Sequence, residues 1–100
     1  MLREEVLNNT LQVLEERKSR NAGQGENSFT LISELWSAYL NHHIDPDEVA
    51  MMMVLLKVAR SKLQAYNPDN YVDAAGYSAI AGELRADLED YINHIAELLI

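Results

Sequence analysis

The segment DPDEVAMMMVLLKVAR, residues 45–60, constrains the fold of this chain more than any other. Asp45 precedes Pro46, and Glu48 follows three positions after Asp45. An aspartate can cap a helix, and a proline suits the first helical position because no N–H is needed there. A glutamate at the third position can return a hydrogen bond to the N–H of the cap. The chain must therefore start a helix at Pro46. From Val49 to Leu56 it is apolar without interruption. A helix that is apolar on nearly every side needs cover on every side. The expectation is a central, most buried helix running to about Ala65, ended by YNPDN because the residue before a proline avoids helical geometry. The same helix carries Lys57 and Arg60, three residues apart and therefore on one face.

Three further helices read from periodicity. Leu2, Val6, Leu7, Leu11 and Leu14 recur at helical spacing among charged residues, which predicts a first amphipathic helix ending near Lys18 to Arg20. NAGQGENS, residues 21–28, reads as a loop. Ser28 or Asn27 is placed to cap a second helix, on which Phe29, Ile32, Leu35, Trp36, Tyr39 and Leu40 form one wide apolar face. A fourth helical region starts near Pro68 or Asp69. Val72, Ala75, Gly76, Ala79 and Ile80 give it a small-residue face for close helix approach. Tyr77, Ala81, Leu84, Leu88, Tyr91, Ile95 and Leu98 alternate steps of four and three, a heptad seam. Gly82 is the point where this long helix could bend. The sum is an all-α fold: a four-helix bundle with a long C-terminal helix, one domain over residues 1–100. The large apolar supply and the separate seam predict a homodimer or higher oligomer, with residues 86–100 as an oligomerisation extension.

Charge and composition exclude several functions. The net charge of −8 lacks the basic surface with which a nucleic-acid binder grips phosphate. With no cysteine, disulfides, thiolate catalysis and zinc–thiolate sites are all ruled out, and a reducing cytoplasm fits. No apolar run has the length of a signal core or a membrane span, so the expectation is a cytoplasmic protein without a membrane role. His42 and His43 are adjacent and would point apart, His94 stands alone, and Met51, Met52 and Met53 go round a helix rather than along one face. For these, loop, surface and core-packing roles are the readings. No nucleophile elbow or phosphate-cradling glycine loop is present.

Lys57 and Arg60 allow three readings. Their stems can lie over apolar neighbours while the charges reach water. They can pair with Asp69 and Asp73, four apart at the start of the next helix, if the two helices form an antiparallel hairpin. Or they can share a pocket with an anionic substrate and a divalent metal.

LWSAYL, DPDEVAMMMVLLKVAR and DNYVDAAGYSAIAGEL, in this order, resemble a family of small proteins of tailed phages and prophages whose function is unknown. The shared motifs are LW-x-x-YL, M-x-x-LLK-x-AR and D-N-x-x-D-x-AGY, covering about residues 20–85. That family is similar in turn to the MazG-like all-α nucleoside triphosphate pyrophosphohydrolases, helical and commonly oligomeric magnesium enzymes. The resemblance implies a nucleotide-binding protein. It implies Asp73 as a magnesium ligand with Asp69 or Asn70 assisting, Lys57 and Arg60 on phosphate oxygens, and Tyr77 at the base or sugar. Trp36 is read as a core residue rather than a base-stacking one.

The departures from the pattern are specific. Ala22-Gly23 and Ser28-Phe29 stand where the family has Tyr-Gly and Asn-Phe. The third helix offers Lys57 and Arg60 where paired acids would be sought, and Glu26 and Glu34 lack partners at the needed spacing. These changes spare binding more than catalysis, so catalytic residues stay unassigned and turnover weakened or lost. The alternative is a non-enzymatic acidic protein, such as a phage inhibitor of a host defence complex, steered by charge to a basic host protein.

Overall fold

The computed structural model describes residues 1–20 and 27–100. Among them are four helices and no strand: α1 (Arg3–Arg20), α2 (Asn27–Leu40), α3 (Pro46–Leu63) and α4 (Pro68–Leu98). The loop read from residues 21–28, the Ala22-Gly23 departure and Glu26 lie largely or wholly outside the described residues.

Local chemistry sets the ends. At the start of α3 the Asp45 N–H donates to Glu48 Oε1 at 3.0 Å, and Pro46 occupies the first turn. The Asp45 carboxylate meets His43 Nε2 at 2.6 Å on the exposed side. α3 stops at Leu63 rather than Ala65, because Gln64 turns extended while its N–H still donates to Arg60 O at 3.0 Å. Asn67 then caps α4, its Oδ1 accepting from the Asp69 N–H at 3.1 Å. α2 opens at Asn27, and the capping read for Asn27 or Ser28 falls at the edge of the described residues. The α2 C-terminus carries a device absent from the sequence reading. Asn41 adopts φ 50°, the His42 N–H donates to Ser37 O at 3.1 Å, and the Asn41 N–H donates to Ala38 O at 3.3 Å. This is a Schellman stop with asparagine in the left-handed position. The Ser37 hydroxyl then accepts from the Ile44 N–H at 2.9 Å, tying the turn back to the helix.

The core lies where α2, α3 and α4 meet. Phe29, Ile44, Val49, Ala50, Ile80 and Ala81 are buried, with Leu14, Ile32, Trp36, Tyr77 and Leu84 packed around them. Trp36 thus takes the core role expected. α1 lies against α4 through Thr10, whose Oγ1 sits 2.7 Å from Val6 O and 3.3 Å from Val72 O. Gly76 is buried beneath Thr10 and Leu14, so the small-residue face does admit a second helix.

Two expectations fail. α3 is not the most buried element: beyond Val49 and Ala50, Met51, Met52, Leu55, Leu56 and Val58 are 41–65% exposed. Met51 and Met52 therefore do not pack a core within the chain. The physical reason is that α2 and α4 cover only part of the circumference, and no other element among the described residues packs on the remainder. The heptad seam on α4, by contrast, serves the chain's own core over part of its length. Tyr77, Ala81 and Leu84 join the core, whereas Tyr91, Ile95 and Leu98 are exposed. The helix runs unbroken through Gly82.

Candidate functional site

The antiparallel turn between α3 and α4 brings Lys57 to Asp73, Nζ to Oδ2 at 2.9 Å. The Lys57 side chain is only 12% exposed and that of Asp73 33%. An ammonium this buried requires an anion, and Asp73 supplies it. The pairing read from sequence is therefore half realised. Arg60 and Asp69 are exposed and have no side-chain partner among the described residues. One turn along each helix carries both away from the Lys57–Asp73 contact. Asn70 is buried, and its Nδ2 donates to Gln64 Oε1 at 3.4 Å. That contact secures the α3–α4 corner.

On the other side of Asp73, between α1 and α4, lies an open cleft of about 200 Å³. α4 contributes Asp73, Gly76, Tyr77 and Ile80, and α1 contributes Val13, Leu14, Arg17 and Arg20. Asp73, Gly76 and Tyr77 share one helix face by their spacing. Gly76 keeps the floor open, since it adds no side chain between its neighbours. Tyr77 is held edge-on against Phe29, with ring centroids 6.2 Å apart and planes at 84°. The Arg17 guanidinium lies over the same Phe29 ring, 5.1 Å from its centroid. Of the predicted site residues, Asp73 and Tyr77 line the cleft and Lys57 supports it from behind.

Arg17 and Arg20 are the site residues that sequence reasoning missed. Their signal was present: two arginines three apart, hence on one face, in the last turn of an amphipathic helix. They read as ordinary C-terminal helix charge because nothing local says which helix they will face.

The implied magnesium site does not fit these residues well. Asp73 is already engaged by Lys57, Asp69 does not line the cleft, and among the described residues no group of three or more His, Asp or Glu side chains could hold a metal ion. Among the described residues no helix is long and apolar enough to cross a membrane.

A family model described as a domain of unknown function, DUF6378, matches residues 5–85. The match takes in α1 as well as the three motif regions. The chain is similar to the Gene 55 protein of Mycobacterium phage L5, 30% identical over 81 residues, which are 80% of this chain and 52% of that protein. It is similar also to the Gene 55 protein of Mycobacterium phage D29, 33% identical over 75 residues, 75% of this chain and 50% of that protein. The chain thus spans about half the length of these curated relatives. No solved structure matches it.

Proposed function

This chain belongs to the DUF6378 family, a domain of unknown function, and we propose that it is a phage or prophage protein that binds a nucleotide in the α1–α4 cleft without a resident metal. The carrying observation is the cleft wall itself, where Arg17 and Arg20 stand beside Tyr77 on a chain of net charge −8. The acid in that wall, Asp73, has its charge met by Lys57 at 2.9 Å, which lowers its repulsion of an anion. Arginine suits phosphate because its planar fork donates to two oxygens at once. Tyr77 offers an aromatic surface to a base or sugar. A cleft of about 200 Å³ takes part of a nucleotide, with phosphates at the arginine rim and the remainder in the open mouth. The phage origin of the curated relatives supports the phage assignment.

Turnover of the pyrophosphohydrolase kind needs paired acids on neighbouring helices to organise magnesium. Across α3 and α4 this chain opposes a lysine to an aspartate, an arrangement that favours binding over hydrolysis.

Thermal unfolding with nucleoside mono-, di- and triphosphates, with and without magnesium, tests the proposal. A ligand at 100 times its Kd adds about 2.7 kcal/mol, a rise of roughly 10 °C or more for a domain of this size. The expected result is a rise that survives chelation of magnesium and disappears in Arg20→Ala. No rise with any nucleotide, or an undiminished rise in Arg20→Ala, would refute the proposal.

A further inference from the structure

We propose that the uncovered apolar faces of α2 and α3 are the contact surface for a second copy of this chain, so that the working protein is a two-fold symmetric homodimer. This goes beyond the ligand cleft and does not depend on it.

The lone chain is short of core. Among the described residues seven apolar side chains are buried, although 48% of the chain is apolar. The radius of gyration is 15.7 Å, against about 13 Å for a compact 100-residue domain. The missing cover has a definite place. On α3, Met51, Met52, Leu55 and Leu56 are 41–65% exposed, and on the neighbouring α2, Leu31 and Leu35 are 57% and 60% exposed. A helix facing water carries charge on its outer face. Here α3 has no charged residue from Val49 to Leu56, and Glu34 is the sole charge on α2.

Area and charge together identify the occupant. The six exposed side chains equal about three whole Leu or Met residues, on the order of 600 Å², before any backbone or rim is added. A stable interface takes about 800 Å² from each partner. On α2 and the apolar stretch of α3 from Val49 to Leu56, a basic host protein would find only Glu34 to grip. Two copies of the face can instead meet by apolar area, with little of the like-charge opposition that a −8 chain creates elsewhere. A chain with so little core of its own also needs a cover that is present whenever the chain is, and its own copy meets that need. The exposed end of α4 is a rival surface, but it begins after the family match ends at residue 85, whereas α2 and α3 lie within it.

Light scattering across a dilution series, combined with melting at each concentration, separates these cases on the full chain. Wild type is expected at twice 11.3 kDa, with a Tm that rises with concentration. Leu55→Glu changes a side chain already 65% exposed and is expected at the monomer mass. Leu55→Met and Ile95→Glu are expected to keep the dimer. If Leu55→Glu fails to fold, the wild-type Tm decides: a rise with concentration supports the dimer and a constant value overturns it. The proposal is also overturned by a monomeric wild type at on the order of 100 µM, by dimeric Leu55→Glu, or by dissociation of Ile95→Glu alone.

Discussion

Removing Asp73 should cost far more stability than removing Lys57, although both substitutions delete the same ion pair. The asymmetry follows from unequal burial, 12% exposure for the Lys57 side chain and 33% for Asp73. Asp73→Ala leaves an ammonium enclosed without an anion. Breaking a fully buried pair from one side costs about 3–5 kcal/mol. Asp73 is partly wet, so water can take over some of its role, and the expected cost is about 2–3 kcal/mol. Lys57→Met instead replaces the stem with an apolar one of similar length and leaves a carboxylate that water already reaches. Its expected cost is about 1 kcal/mol or less. The double substitution should match Lys57→Met closely, so the coupling should equal the Asp73→Ala cost, about 2–3 kcal/mol. The assay is urea unfolding of all four proteins at one protein concentration and neutral pH, because self-association would make stability concentration-dependent. Equal costs for the two single variants, or a cost below about 0.5 kcal/mol for Asp73→Ala, would refute the reasoning. Lys57 would then be reaching water along its stem, the simplest of the three sequence readings.

Two further outcomes follow from the packing. A Cβ added at Gly76 would meet Thr10 Cγ2 at 3.9 Å and Leu14 Cδ2 at 4.0 Å, and one at Gly82 would meet nothing within 4 Å. Each glycine-to-alanine change should therefore stabilise α4 by roughly 0.5–1 kcal/mol in denaturant unfolding; destabilisation at Gly76 would mean that α1 lies closer than these distances allow. Phe29 is 2% exposed and holds both Tyr77 and Arg17. Phe29→Ala should cost about 3–5 kcal/mol and should also weaken nucleotide binding, measured by ligand titration below the unfolding transition.

The sequence by itself determined the helices and most of their ends. Asp45, Pro46 and Glu48 start α3, and Asn67 and Pro68 start α4, because a cap is satisfied within four residues of chain. It offered an acid of the next helix as one of three readings for Lys57, because a hairpin with a short turn would bring the two helices together. Tertiary structure decided the rest. It selected Asp73 over Asp69, left Arg60 in water, and set Arg17 and Arg20 of α1 opposite Tyr77. It also left Met51 and Leu55 uncovered, although their neighbours Val49 and Ala50 are sealed. An apolar run specifies that a face needs burial, but the partner that buries it, whether another helix of the chain or a second chain, is set by packing across the whole molecule.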